Sequence, residues 1–247
     1  APEDKCENVR REICLLLEQM GIYPESSHHE EGPGQNEIDF RYSDPLTAAD
    51  NTLTFQAVVK TVAQRNGLYA DFSPKPLRHQ PGNGFHINIS VKGGNCEDPL
   101  SHMIAGILEH IPELTVFLNP TVASYERFGG PKAPEYISWS NQNRSQLIRV
   151  PAAVDEYRRA ELRSPDPTTN PYLAFALLIY AGLDGIQQKL PLLAPTDLNL
   201  FTASADILAH LQRLPLTLRE AATLAANSSF VSKYLPKTIV QTYYDQR

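Results

Sequence analysis

Charged and apolar side chains alternate between residues 37 and 42, and this period of two predicts a half-buried strand. The charged members are Glu37, Asp39 and Arg41, and those between them are Ile38, Phe40 and Tyr42. A turn-forming Gly-Pro-Gly run occupies residues 32–34, so Glu30 can end one strand where Glu37 begins the next. The pattern predicts two carboxylates that face one space, and a divalent cation would remove their repulsion. A merely solvated strand face is the alternative.

A second alternating stretch covers residues 86–91 and follows a glycine-containing loop at 82–85. Its polar members are His86, Asn88 and Ser90, and its apolar members are Ile87, Ile89 and Val91. Glycine lets a backbone approach a ligand closely, so this loop is a candidate binding element. A hydrogen-bonded structural histidine is the alternative for His86.

A third stretch, residues 158–167, places a carboxylate among arginines. Glu161 and Arg163 share one face if the segment is extended, as the prolines that follow indicate. Arg144 and Arg149 lie a short distance upstream. Carboxylates that hold metal and arginines that clamp phosphate are what phosphoryl transfer requires, so the hypothesis is ATP-dependent chemistry. Ordinary salt bridges between subunits are the alternative for the arginines.

The remaining periodicity predicts an α+β fold. Apolar residues at helical spacing predict helices at 9–20, 45–66, 98–118 with a break near Pro112, and 172–185. Strand character appears at 136–139 and 147–150. We expect a mostly antiparallel sheet, covered by helices, whose one face carries Glu30, Glu37, His86 and Glu161 toward an active-site cleft.

Composition narrows the class of protein. The chain has 247 residues, a net charge of -6 and 42% hydrophobic residues, which suits one globular domain with a substantial core or one domain plus a small appendage. It has no basic patch suited to nucleic acid, no apolar run of the roughly 20 residues that span a bilayer, and no signal-peptide pattern. We therefore expect a soluble cytoplasmic protein that binds neither nucleic acid nor membrane, with three reduced cysteines.

Motifs spread over roughly residues 5 to 245 carry a resemblance to a known family. They are His28-His29-Glu30 with Gly34-Gln35-Asn36-Glu37, Lys75-Pro76-Leu77 with Gly84-Phe85-His86, Tyr136-Ile137-Ser138-Trp139-Ser140 with Asn143-Arg144-Ser145, and Arg163-Ser164-Pro165-Asp166-Pro167 with Asn170-Pro171-Tyr172. In content and order they resemble the glutamine synthetases. The resemblance implies that residues 1–247 are an N-terminally incomplete catalytic domain, since a β-grasp domain and a Glu-x-Glu strand have no counterpart here. It also implies a homo-oligomeric double ring, and we expect this fragment alone to be inactive.

The same resemblance assigns roles to individual residues. It implies Mg²⁺ or Mn²⁺ ligands at Glu30, Glu37, His86 and Glu161, and a nucleotide site at Glu25, Asn88, Ser90, Arg149 and Arg159. It implies glutamate contacts at Gly82, Arg127 and Arg163, and phosphoryl-stabilising charge at Arg144. The implied reaction activates the γ-carboxylate of glutamate with ATP and then joins it to ammonia, giving glutamine.

Three positions depart from the family pattern. Pro81 replaces a usual asparagine, Glu156 replaces a lysine found in bacterial relatives, and Lys132 replaces a flap glutamate that accepts a proton from ammonium. Glu135, three residues after Lys132, is the candidate substitute base. Three hypotheses stay open: a glutamine synthetase, a ligase that joins glutamate to a larger amine, and a catalytically impaired homologue with an assembly or regulatory role.

Overall fold

The computed structural model of the chain describes residues 4–92, 96–130, 132–153 and 157–245. These residues form two compact units. Unit one contains residues up to 72 together with 76–81, and unit two contains 73–75 and the residues from 82 onward. Glu156, one of the departures from the family pattern, lies outside the described residues.

Unit one packs two helices and a hairpin around a small apolar core. Its elements are α1 (Glu7–Gln19), β1 (Pro24–His29), β2 (Asn36–Phe40) and α2 (Pro45–Arg65). The core is formed by Ile13, Leu17, Ile22, Val58 and Val62. The side chain of Asp44 accepts a hydrogen bond from the backbone N–H of Thr47, and Pro45 occupies the first turn, so both fix the start of α2.

Unit two contains a four-stranded sheet in the order β3-β6-β5-β4. Its strands are β3 (Ile87–Ile89), β4 (Trp139–Ser140), β5 (Ile148–Arg149) and β6 (Ala160–Leu162). The β3–β6 and β5–β6 pairs are antiparallel, and the β4–β5 pair is parallel. Glu161 lies at the centre of this sheet, with Asn88 opposite it on β3 and Arg149 opposite it on β5.

Seven helices accompany that sheet in the described part of unit two. They are α3 (Pro99–Leu118), α4 (Val122–Tyr125), α5 (Pro171–Gln188), α6 (Ala205–Leu208), α7 (Leu218–Asn227), α8 (Ser229–Tyr234) and α9 (Lys237–Asp245). α3 and α5 meet through their backbones, because a Cβ atom on Gly106 would lie 2.2 Å from the carbonyl oxygen of Ala181. Only glycine fits there.

One histidine links three of these helices. His110 on α3 places Nδ1 2.7 Å from Oε1 of Glu113 and Nε2 3.0 Å from Oδ2 of Asp184 on α5. Its ring stacks on Phe230 of α8 at a centroid distance of 3.8 Å. Burial lowers the pKa of His110, but the hydrogen bonds to both carboxylates outweigh burial, and the pKa rises.

The α+β class and the predicted helices are confirmed, and two details are wrong. The four predicted metal ligands do not share one sheet, since Glu37 belongs to the two-stranded β1–β2 sheet and Glu161 to the four-stranded sheet. α3 also continues through Pro112 without a break. Proline removes one helical hydrogen bond there, but most of α3 from Leu100 to Leu118 is buried, and that packing maintains the helix. No described helix is both long and apolar enough to cross a membrane.

Candidate active site

The hairpin of unit one brings together His28, Glu30 and Glu37. The β1–β2 register places His28 directly opposite Glu37, and the turn returns the chain through a hydrogen bond from the N–H of Glu30 to the carbonyl oxygen of Gln35. Nε2 of His28 lies 3.1 Å from Oε1 of Glu30 and 3.9 Å from Oε2 of Glu37. One donor atom from each of the three residues lies within 4.8 Å of the others, a spacing that a single cation can span.

The electrostatics of this trio also suit a cation. Burial raises the pKa of Glu37, and the negative charges of Asp39 and Glu30 raise it further. Oxygen donors with one imidazole nitrogen are compatible with Mn²⁺ or Mg²⁺. The sequence hypothesis named Glu30 and Glu37 but not His28, although the register of a hairpin closed at residues 30–35 places His28 against Glu37.

Glu161 is the charge centre of unit two. Its Oε2 accepts a hydrogen bond from Nη1 of Arg149 at 2.7 Å, and its Oε1 accepts one from Nη1 of Arg163. Nδ1 of His86 lies 3.6 Å from the same Oε1. Glu161 and Arg163 are 7% and 3% exposed, so this carboxylate neutralises largely buried cations.

Arg163 connects this centre to the loop that carries Arg144. Its Nε donates to the carbonyl oxygen of Arg144 at 3.1 Å, and its backbone N–H donates to the carbonyl oxygen of Leu147. Burial lowers the pKa of Arg163, and the attraction of Glu161 partly offsets this. The side chain of Arg144 is exposed. Arg149 and Arg163 therefore form one connected cluster around Glu161, and the backbone of Arg144, whose side chain is exposed, joins this cluster at its edge.

A second cation at His86 and Glu161 would compete with arginine side chains for the oxygens of Glu161. These residues offer two donors, but both oxygens of Glu161 already accept from arginines. In the described part of the chain, the trio of unit one is the single group of three histidine, cysteine or carboxylate ligands close enough to share an ion. A cation at His86 and Glu161 must displace or share the contacts of Arg149 or Arg163.

Arg127 and Gly82 pack together beside this cluster. Arg127 is 3% exposed, and its guanidinium donates to the carbonyl oxygens of Ser164 and Pro165. Burial lowers its pKa to about 10, and the nearby carboxylate of Asp166 partly compensates. A Cβ atom on Gly82 would lie 2.7 Å from Cγ of Arg127, so only glycine fits over this side chain.

The predicted nucleotide residues are divided between the units. Glu25 is exposed on β1, with Oε1 4.0 Å from Nε of Arg41. Asn88 on β3 accepts a hydrogen bond from Nε of Arg159 at 3.1 Å, and Ser90 follows β3 as an exposed residue. Asn88, Ser90, Arg149 and Arg159 thus all belong to or border the β3–β6–β5 part of one sheet.

The candidate base Glu135 has a partner that the sequence analysis missed. Nη2 of Arg213 lies 3.4 Å from Oε1 of Glu135 and donates to the hydroxyl of Tyr136 at 2.5 Å. Tyr136 and Arg213 are 77 positions apart in the chain, and no local pattern connects them. Lys132 has a left-handed backbone, with φ of 68°.

The family model for the catalytic domain of glutamine synthetase matches residues 1–247. The chain belongs to the glutamine synthetase family. It is 45% identical to a glutamine synthetase of Methanosarcina mazei and 44% identical to one of Clostridium saccharobutylicum, and each match covers 98% of this chain. It spans 58% of the length of these relatives.

Solved structures share this glutamine synthetase fold. One titled "GmaS/ADP complex" has a TM-score of 0.86 and 31% identity, and it covers 96% of this chain and 58% of that one. A Plasmodium falciparum glutamine synthetase has a TM-score of 0.86 and 26% identity, with 99% and 58% coverage.

Proposed function

We propose that the protein containing this chain is an ATP-dependent glutamate–ammonia ligase, which makes glutamine through a γ-glutamyl phosphate. The proposal is supported by the family match and by relatives that are named glutamine synthetases. It is also supported by the connected arginine cluster around Glu161, which is the observation that carries it. The related structure solved with ADP agrees with a nucleotide as co-substrate.

The cluster suits a reaction that moves a phosphoryl group. An oxygen of the γ-carboxylate of glutamate attacks the γ-phosphorus of ATP, and the bond to ADP breaks. We assign Arg144, the exposed cation, to the transferring phosphoryl group, and Arg149 and Arg159 to the other phosphates. The amine nitrogen then attacks the carbonyl carbon, loses a proton, and phosphate leaves with the oxygen that came from the carboxylate.

We assign the orientation of the glutamate substrate to the buried Arg163 and Arg127 and to the loop that contains Gly82. Arg163 and Arg127 offer guanidinium groups whose positions are fixed by carbonyl and carboxylate partners. Fixed cations can hold a carboxylate substrate in line with the phosphoryl group without reorganising during the reaction. We assign the backbone of Gly82 to the bound glutamate; glycine is required at this position because a Cβ atom would lie 2.7 Å from Cγ of Arg127.

Divalent cations complete the proposal. We assign Glu30 and Glu37, with His28 as an additional donor, to one Mg²⁺ or Mn²⁺, and His86 and Glu161 to another. Such ions neutralise phosphate charge and polarise the transferring group. The residues of the trio fit this role by spacing and donor type, whereas Glu161 must first exchange an arginine contact.

A ligase for a larger amine is the second candidate. The observation in its favour is the loop before β4, where Lys132 stands in place of the family's acidic residue and Glu135 is paired with Arg213. A lysine near the amine site repels any protonated amine, because two unit charges 4 Å apart repel by about 4 kcal/mol at an effective dielectric near 20. A larger amine can offset this repulsion through apolar contacts that ammonium cannot make. If the protein accepts no amine, the remaining hypothesis is a catalytically impaired homologue with an assembly or regulatory role.

The whole protein is expected to be a cytoplasmic homo-oligomer of the double-ring type. Residues 1–247 alone should not turn over, since the relatives extend well beyond the matched part. Light scattering of the full-length protein checks the assembly. A monomer in solution would contradict this part of the proposal.

The activity is tested by phosphate release from ATP in the full-length protein with Mg²⁺, glutamate and a panel of amines. Release that needs both glutamate and ammonium supports the glutamine synthetase. Release that needs glutamate and a larger amine, such as methylamine or ethanolamine, selects the second candidate. Absence of glutamate-dependent release with every amine refutes the ligase function. Arg163→Lys should lower turnover strongly, since an ammonium group cannot reproduce the two directed contacts of the guanidinium, to Glu161 and to the carbonyl oxygen of Arg144.

A further inference from the structure

A short backbone pairing fixes the chain around Glu135. The backbone N–H of Leu214 donates to the carbonyl oxygen of Glu135 at 2.8 Å. The backbone N–H of Ile137 donates to the carbonyl oxygen of Gln212, also at 2.8 Å. Between these bonds, Tyr136 pairs with Arg213 in an antiparallel bridge. Residues 135–137 are therefore held on both sides and cannot swing as a free loop end.

The side chains add a second layer of contacts. Arg213 reaches Glu135 and the hydroxyl of Tyr136, and its guanidinium carbon lies 4.9 Å from the centre of the Tyr136 ring. On its other side the Glu135 carboxylate meets the backbone of Gly129, where an added Cβ atom would lie 3.2 Å from Oε2. The side chain of Glu135 is only 18% exposed. Its carboxylate is thus enclosed by a cation and a turn.

The same residues line a pocket. The pocket has a volume of about 200 Å³, and its lining includes Glu135, Tyr136, Ser145 and Arg213. Ser145 follows Arg144, whose carbonyl oxygen accepts the hydrogen bond from Arg163. A change in the position of Glu135 or Arg213 therefore alters the wall of a pocket that also includes Ser145, the next residue in the chain after the proposed phosphoryl-stabilising arginine.

We propose that Arg213 is a positioning residue for residues 132–137, and that the Glu135 carboxylate is its anchor rather than the proton acceptor of the reaction. The inference rests on the proposed ligase function and replaces the role of substitute base that the sequence assigned to Glu135. A base must reach the substrate amine, whereas this carboxylate already holds Arg213 and packs under Gly129. As an anchor, Glu135 needs only a partner of opposite charge. An arginine at position 135 and a glutamate at position 213 should therefore serve the same purpose.

That exchange provides the test. In the full-length protein, Glu135→Gln and Arg213→Gln each break the pair, and the double variant E135R/R213E restores it with the charges reversed. A carboxylate at position 213 can also accept a hydrogen bond from the Tyr136 hydroxyl. If Glu135 is an anchor, each single variant should raise KM for the amine by about threefold to tenfold with a smaller change in kcat, and the double variant should recover most of the loss.

If Glu135 is the base, the outcome differs. Glu135→Gln should then lower kcat by about 10² or more, and the double variant should stay equally impaired because its carboxylate has moved. That result would overturn the proposal. Arg65→Gln is the matched control, since Arg65 forms a long, exposed pair with Glu12 at 3.9 Å, and its kinetics should equal those of the parent protein.

A readout independent of catalysis separates this proposal from the ligase function. Hydrogen exchange in peptides that cover residues 132–137 should speed up in Arg213→Gln and return in the double variant. Exchange that is unchanged in Arg213→Gln would refute the anchor even if the enzyme is active. Faster exchange in a protein without glutamate-dependent turnover would support the anchor and refute the proposed function.

Discussion

Replacing Glu161 by glutamine should destabilise the protein strongly in the absence of metal. The substitution keeps the size of the side chain and removes its charge. It leaves Arg149 and Arg163, with the ring of His86 beside them, around a neutral amide. Since Glu161 is 7% exposed and Arg163 is 3% exposed, water can replace the lost carboxylate only in part.

The magnitude follows from the contacts. Arg149 and Glu161 are 2.7 Å apart, and at an effective dielectric near 20 two opposite unit charges at this distance attract each other by about 6 kcal/mol. The cost of removing both charges from water offsets much of this attraction. Removing one partner of a buried pair typically costs about 3–5 kcal/mol. The side chains of Arg149 and His86 are 23% and 24% exposed, so the lower end applies and we expect a loss of about 3 kcal/mol.

The assay is urea denaturation of the full-length protein in a chelator, followed by circular dichroism. With a slope near 3 kcal/mol per molar urea, the midpoint should fall by about 1 M. The double variant Glu161→Gln/Arg149→Gln should recover part of the loss, because one uncompensated cation is gone. Glu12→Gln is the control, and its pair with Arg65 at 3.9 Å is exposed, so less than about 0.5 kcal/mol is expected. A loss in Glu161→Gln no larger than in this control would refute the reasoning.

Three further predictions concern other parts of the chain. The pKa of His110 is higher in the folded protein than in the unfolded chain, where it is about 6.5. The ion pairs of His110 with Glu113 and Asp184 therefore stabilise the folded protein fully below about pH 6.5, and this stabilisation is lost as the pH rises through the pKa of the folded state. The unfolding free energy that His110→Gln removes should therefore shrink between pH 5.5 and 8.5 in urea titrations, and growth over that range would contradict the contact. Gly106→Ala should lower the melting temperature through a loss of about 2 kcal/mol or more, because the new Cβ would meet a carbonyl oxygen of α5 at 2.2 Å; calorimetry that shows no shift would disprove the backbone contact. Glu37→Gln should weaken Mn²⁺ binding in titration calorimetry, whereas the exposed Glu18→Gln should not, and equal affinity in both would remove Glu37 from the cation site.

Local pattern was enough to predict the four long helices of the described residues, although not their continuity at Pro112. Helix α2 begins at Asp44 and Pro45, and α5 begins at Asn170 and Pro171, where the capping and first-turn residues are written in the sequence. The shared face of Glu161 and Arg163 also followed from alternation, and the structure shows the two side chains bonded to each other.

Contacts between distant segments could not be obtained in this way. Arg149 lies opposite Glu161 only because β5 and β6 are neighbours, and strand order is not visible in either segment. Arg213 meets Tyr136 across 77 positions for the same reason. The expected break at Pro112 failed because a local rule for proline takes no account of burial around α3.

The most direct test of the proposed reaction follows an oxygen atom. The full-length protein is incubated with ATP, Mg²⁺, the accepted amine and glutamate labelled with ¹⁸O in its γ-carboxylate, and the released phosphate is analysed by mass spectrometry. A γ-glutamyl phosphate requires that each phosphate released carries one labelled oxygen from glutamate. Phosphate without the label, formed by attack of water on ATP, would contradict the proposed ligase mechanism.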